Sequence, residues 1–308
     1  MKRRTFISQS VAASALLAFN QSALFANKPA AARLSFSTLG CPDWSFDEIL
    51  QFAVTHRYQG IEIRGIQREM DLPKSPVFAN PAAIEKAKAA CSAKKLKIAT
   101  LGSSCELHHA DEKKRQENLD NGKRFIDLAA ALGQVNVRVF PNSFVAGEDK
   151  QTTMDRIAAG LRTLADYANG TKVKVLMETH GQLVWTADIL AIMQQVNHPH
   201  AGLVWDFYNM WTVTKESPTM VYKALKPYIF HCHLKDSIKK DDKENYVLFG
   251  QGEGPAKEAI TALKTGGYKG FYSFEWEKLW HPEIAAPDIA LADFPDAFAK
   301  IWQQTANN

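Results

Sequence analysis

The chain has 308 residues, 46% hydrophobic and 23% charged, which excludes a disordered chain, a collagen-like fibre and a multi-span membrane protein. Its formal charge of +4 owes three positives to Lys2, Arg3 and Arg4, and from Asn27 onward 34 basic residues face 33 acidic ones, too even a balance for the basic stripe that a nucleic-acid partner requires. Four cysteines are too few for a disulfide scaffold, and Cys41, Cys91, Cys105 and Cys232 are read as buried thiols, since a free cysteine packs as a small hydrophobe.

The first thirty-two residues are expected to lie outside the barrel pattern. Lys2-Arg3-Arg4-Thr5-Phe6-Ile7 precedes a mild apolar run over 11–19 and then Ala-rich sequence to Ala32. That order of charged, apolar and small residues is an export signal. The run is about half the ~20 residues needed to span a bilayer. Paired arginines followed by Thr-Phe-Ile resemble the bacterial twin-arginine signal, an address read by a receptor. Residues 1–32 are therefore expected to be a signal peptide, cleaved near 26 or 32, that sends the protein to the periplasm without a stable membrane anchor.

From Arg33 the chain alternates short apolar runs with amphipathic ones. Residues 34–39 predict a strand, and Ser45 with Glu48 forms a capping box for a helix to about His56. Residues 60–64 are a second strand. Asn80-Pro81 supplies a cap and a first-turn proline for a helix to about Lys94. Strands follow at 97–101, 135–140, 174–177, 202–205, 228–234 and 270–274. Between them lie helices to about 132, over 152–168, 186–196, from about 218, and over 255–265. A closing helix covers 287–304. The run 239–244 is mixed in charge and reads as a solvated loop. Strands alternating with helices imply parallel βαβ units, and eight units fit the closed (β/α)8 TIM barrel of ~250 residues in a single domain, 33–308. No Gly-x-Gly-x-x-Gly follows a strand, which weakens a nucleotide-binding alternative.

In such barrels chemistry sits at the C-terminal ends of the strands. Strand five ends Met177-Glu178-Thr179-His180, strand six Trp205-Asp206, strand seven His231-Cys232-His233-Leu234-Lys235-Asp236, and strand eight Ser273-Phe274-Glu275-Trp276-Glu277. Adjacent strands lie about 4.8 Å apart, so these side chains can converge. Converging anions repel in a low-dielectric cleft, and a divalent cation removes that cost. Singly, each has a bland reading: a strand-end acid often caps a helix, and Lys235 either meets a substrate oxygen or pairs with Asp236.

Together these segments resemble the sugar phosphate isomerase/epimerase group of the xylose isomerase-like barrels, with His-x-His-Leu-Lys-Asp as the most specific element. The resemblance implies one divalent metal ion, usually Mn2+ with Mg2+, Co2+ or Zn2+ possible, held by Glu178, Asp206, His233 and Glu275. Three carboxylates and one imidazole suit such an ion. It also implies a small-molecule sugar substrate and an isomerase or epimerase reaction through an enediolate, with Glu178 and Glu275 as the catalytic acid–base pair. The same intermediate supports a keto-sugar or 3-keto-glycoside lyase or dehydratase. His180, Lys235, His108, Glu62 and Trp280 are expected to contact the substrate, with Arg64 and His109 also within reach. Trp44, Trp205, Tyr208, Trp276 and Trp280 are candidates for an aromatic sugar-stacking wall. Two departures bear on substrate. Ketohexose 3-epimerases usually carry a histidine where this chain has Asn209, and Gly-Glu where it has Leu234-Lys235, so that substrate is not carried over. No phosphate cradle is visible.

Overall fold

A short apolar run becomes a strand here because helices cover it on one side and the barrel interior fills the other. The computed structural model describes residues 32–133, 135–241 and 243–305, so the proposed export signal lies outside the described residues. Eight parallel strands close into a barrel: β1 (Arg33–Ser37), β2 (Gly60–Ile63), β3 (Lys97–Glu106), β4 (Asn136–Phe140), β5 (Val175–Glu178), β6 (Ala201–Asp206), β7 (Ile229–Leu234) and β10 (Phe271–Phe274). They pair in that order, and β10 closes onto β1. β5 and β6 are buried along their whole length, as parallel strands covered on both faces must be.

The helices start where their caps say they should. α1 (Phe46–Thr55) has the expected capping box, Glu48 Oε2 accepting from the Ser45 N–H at 2.7 Å. α2 (Pro81–Ala93) is capped by Asn80, whose Oδ1 accepts from the Ala83 N–H at 3.0 Å. α3 (Glu112–Ala131), α4 (Lys150–Tyr167), α5 (Thr186–Val196), α6 (Phe207–Thr214), α7 (Pro218–Leu225), α8 (Ala256–Thr265) and α9 (Pro287–Gln304) complete the outer layer. α4 begins two residues before the expected start because Asp149 caps it, accepting from the Gln151 N–H. Trp205 packs outward between barrel and helices, with ring centroids 5.7 Å from Tyr222 and 6.4 Å from Phe207. All four cysteines are free and buried, and burial pushes the Cys105 and Cys232 thiols up to about 12. Among the described residues no helix is long and apolar enough to cross a membrane.

Three elements differ from expectation, and all three lie near the site. β3 continues past Leu101 to Glu106, with a register shift against β4 between Gly102 and Glu106. Gly102-Ser103-Ser104 has little intrinsic strand preference, so pairing with β4 carries the extension. The charged run at 239–244 is an antiparallel hairpin, β8 (Ser237–Lys240) and β9 (Lys243–Tyr246), in which Lys239 stands opposite Glu244, an opposite-charge pair of the kind that supports a hairpin. Finally, α6 starts directly at the end of β6.

Candidate active site

Asp206 explains the abrupt start of α6. Its Oδ1 accepts the Asn209 N–H at 2.8 Å and caps the helix. The bland reading of a strand-end aspartate as a helix cap therefore holds for Oδ1. Oδ2 is left on the barrel side.

There it meets the other strand-end groups. One ligand atom each from Glu178, Asp206, His233 and Glu275 lies within 4.8 Å of all the others, and all four residues are buried. Glu178 ends β5, Asp206 ends β6, His233 sits on β7, and Glu275 follows β10 with its N–H bonded to Leu234 O at 2.9 Å. His233 Nδ1 is 3.3 Å from both Glu178 Oε1 and Glu275 Oε1. Glu178 Oε2, Asp206 Oδ2 and His233 Nδ1 are buried without a hydrogen-bond partner. Arg138 and Lys235 stand at ion-pair distance from two of them, but not aligned to bond. Buried polar atoms are rarely left so. Several such atoms facing one space could hold a cation, and three carboxylates with one imidazole match the donor set of a hard-to-borderline divalent ion.

The imidazole is oriented from behind. Glu62 Oε2 accepts from His233 Nε2 at 2.9 Å and from His231 Nε2 at 2.7 Å. An ionised carboxylate only accepts, so it keeps a proton on His233 Nε2, and Nδ1, once it has given up its own proton, would face the cluster as a ligand. Burial works against the Glu62 charge, but His233 and the two hydrogen bonds hold its carboxyl well below the usual range. Glu62 was expected to touch substrate. It is instead buried beneath the two histidines, because β2 turns its side chain into the barrel interior. His231, alternating with Cys232 on β7, shares that interior position.

Lys235 is the second surprise of the rim. Its Nζ is 2.9 Å from Asp206 Oδ2, 2.9 Å from Glu275 Oε2 and 2.7 Å from Glu277 Oε1, with only 2% of the side chain exposed. Burial disfavours the ammonium, yet Asp206, Glu275 and Glu277 hold its pKa well above the ordinary lysine value. The expected partner Asp236 faces away, accepting N–H groups from Gly250, Gly252 and Gly254 at 2.9–3.0 Å and so fastening the segment that follows the hairpin. That hairpin brings Tyr246, whose hydroxyl donates to Glu277 Oε1 at 3.2 Å. Asp206, by contrast, is raised to about 7, chiefly by burial and against the pull of Lys235. For Glu178, burial is outweighed by Arg138 and His233, which together keep it below the usual range despite Glu275.

A cavity of about 310 Å³ opens onto Glu178, Glu275, Lys235 and Glu277, with His180 and Trp280 also on its wall. This is the small end of ligand pockets, about 300–1,000 Å³, and room for a monosaccharide. His180 donates from Nδ1 to Asn142 Oδ1 at 2.8 Å, which presents its other nitrogen elsewhere. Trp280, 55% exposed, is the one member of the anticipated aromatic wall to line the cavity. Trp205, Tyr208 and Trp276 are core residues, and Trp44 packs against Phe52 with the rings tilted at 51°. His108 does not line the cavity either. β3 runs five residues further than expected, so Glu106 reaches the cavity and His108 lies beyond it, beside His109. A larger cavity of about 830 Å³ opens among Arg33, Lys97, Asn136 and Phe271, the first residues of their strands or nearly so, and has no carboxylate on its wall. It lies at the stability face of the barrel, away from the cluster.

Sequence reasoning missed Arg138 on β4. Its guanidinium lines the cavity, its Nε is 3.3 Å from Glu178 Oε2, and it lies over the Phe140 ring at 3.8 Å.

Residues 50–293 match the profile of the xylose isomerase-like TIM barrel family, and the chain belongs to that family. Among solved structures it is similar to the probable 3-DHS dehydratase AsbF of Bacillus anthracis (17% identity, TM-score 0.72, covering 87% of this chain and 98% of that one). It is similar also to the 3-keto-D-glucoside 4-epimerase YcjR of E. coli (16%, 0.70, 89% and 100%) and to an L-ribulose 3-epimerase (14%, 0.73, 90% and 96%). At such identities the likeness is one of fold. No curated protein matches the chain.

Proposed function

We propose that the protein is a divalent-metal-dependent isomerase or epimerase of a keto-sugar, working through an enediolate. The observation that carries this reading is the placement of two buried carboxylates, Glu178 and Glu275, on strands separated by β6 and β7, both opening onto one monosaccharide-sized cavity. Glu178, Asp206, His233 and Glu275 would hold the ion, for which manganese is the first choice. When bound, it would act as a Lewis acid toward a carbonyl and its neighbouring hydroxyl. One glutamate removes the proton from the carbon between those oxygens, and the other returns a proton from the opposite side. Return to the same carbon inverts it; return to the neighbouring carbon isomerises the sugar. Solved neighbours that are sugar epimerases support the reading.

A second reading rests on Lys235. An ammonium held charged at the cavity wall is an acid for a departing oxygen, which would turn the same chemistry into a keto-sugar or 3-keto-glycoside lyase or dehydratase, in line with the dehydratase neighbour. Incubation of manganese-loaded protein with a panel of keto-sugars in D2O decides. Solvent deuterium in an epimer or isomer supports the first reading, an eliminated product the second, and no exchange with any member refutes both. We further propose that residues 1–32 direct export to the periplasm.

A further inference from the structure

Two arginines stand side by side in the cavity on the side away from the lysine. Arg64 follows β2 and Arg138 lies on β4; both line the cavity and both are at least nine-tenths buried. β3 runs between them, and at the position opposite Arg138 it carries Gly102. A Cβ there would come within 2.6 Å of Arg64 Cδ and 2.8 Å of Arg138 Nη2. The missing side chain is thus the gap through which the two stems reach the cavity. Arg64 is partly satisfied, donating to Gly102 O at 3.4 Å and Ser104 Oγ at 3.0 Å. Arg138 is not: its Nε and Nη1 are buried without a hydrogen-bond partner, although only 2% of the residue is exposed. Its nearest carboxylate, Glu178, is not aligned to receive a hydrogen bond and belongs to the metal cluster.

Burying two guanidiniums together is costly unless an anion joins them. On the β2–β4 side Glu106 also lines the cavity, but its Oε2 is paired with His109 Nε2 at 2.9 Å, while Asp206, Glu275 and Glu277 are engaged across the barrel with Lys235. A planar, forked donor with unpartnered N–H groups at the cavity wall matches a carboxylate. The space, about 310 Å³, must also hold the sugar, and no helix N-terminus or glycine-rich turn is among its lining residues to cradle a phosphate.

We propose that the substrate is a sugar acid, and that Arg64 and Arg138 bind its carboxylate while its keto-hydroxy end lies at the four-residue cluster. This rests on the sugar isomerase or epimerase reading above and names the substrate class for it.

D-gluconate and D-glucitol differ only in a carboxylate for a hydroxymethyl group, and neither has a carbonyl to react. Their binding to the full chain is followed by calorimetry, with and without Mn2+. Gluconate should bind at least about tenfold more tightly, as charge-assisted hydrogen bonds require. The ratio should fall towards one in Arg138→Gln and in Arg64→Gln, and be only partly kept in Arg138→Lys, which retains the charge but not the fork. Equal binding of the two ligands by wild-type protein overturns the proposal, whatever the variants do. So does a ratio that survives both glutamine variants, or tighter binding of glucitol 6-phosphate than of gluconate. The D2O assay separates this from the function itself. Exchange confined to neutral ketoses keeps the enzyme reading and overturns the acid substrate. Gluconate selectivity that depends on Arg138, without exchange on any keto-sugar, supports the arginine site and overturns the enzyme reading.

Discussion

Replacing Glu62 by glutamine tests how the proposed metal site is built without touching any of its four proposed ligands. Glu62 Oε2 accepts from two imidazoles, at 2.7 and 2.9 Å, and weakly from Ser273 Oγ at 3.4 Å. Glutamine keeps the size and a carbonyl oxygen, so both imidazole bonds can persist, but as neutral bonds. A hydrogen bond to a charged group is worth about 1.5–3 kcal/mol and a neutral one about 1, so each bond weakens by about 0.5–2 kcal/mol. Only the His233 bond is coupled to the ion, because His231 is not in the cluster. At about 1.4 kcal/mol per decade that loss is about 2–30-fold in affinity, at the low end of the 10–100-fold cost of changing such a partner. Manganese affinity in Glu62→Gln should therefore drop about tenfold, read by electron paramagnetic resonance of the free ion. The melting temperature of the metal-free protein reports separately on folding. Unchanged affinity in Glu62→Gln, beside lost binding in His233→Ala, would refute the orienting role.

Glu178→Gln and Glu275→Gln should each lower kcat by about 10²–10⁴-fold, the usual contribution of a general base, and change KM far less. The variant retaining the abstracting base should still wash the substrate proton into D2O while forming little epimer, and full activity in either removes that residue from the mechanism. Manganese affinity should fall with falling pH, because the ion displaces protons. His233 is held protonated well above its ordinary range, against burial, by Glu275, Glu62 and Glu178, and Asp206 takes up a proton below about 7. The logarithm of the affinity should thus rise with slope about one above pH 7 and about two below it; a pH-independent titration contradicts the assignment. Asp236→Ala should destabilise the fold by ~3 kcal/mol, seen as a lowered urea midpoint, because three glycine N–H groups lose a charged acceptor; an unchanged midpoint would show that the clamp is dispensable. Arg3→Lys with Arg4→Lys should leave the folded protein intact and block the proposed export, and a normal periplasmic yield would show that the signal was misread.

Glu178, Asp206, His233 and Glu275 were legible because each interrupts an apolar run at the end of a strand, where a barrel gathers its chemistry. Arg138 was not. It lies inside Asn136-Val137-Arg138-Val139-Phe140, and a charge alternating with valines reads as a solvent-facing position of a half-buried strand. In a closed barrel both faces are covered, so the same alternation turns the charge inward. Glu62 was visible as a carboxylate in a strand, but only the closing of the barrel, which brings its side chain to β7 through the interior, shows that it serves the histidines. The hairpin and the long β3 escaped for a related reason. Their residues are polar or small, and what makes them strands is a partner strand rather than their own preference. Lys235 and Asp236 are adjacent in sequence but face opposite ways, as successive residues off a strand end do, which is why the obvious pair between them does not form.

The cluster of Glu178, Asp206, His233 and Glu275 is proposed to hold a single metal ion. Its most direct measurement is metal analysis of protein folded with manganese and stripped of loosely bound ion, for the wild type and for Asp206→Ala combined with His233→Ala. About one equivalent per chain in the wild type and almost none in the double variant is the predicted result. Equal stoichiometry in the two proteins would contradict it.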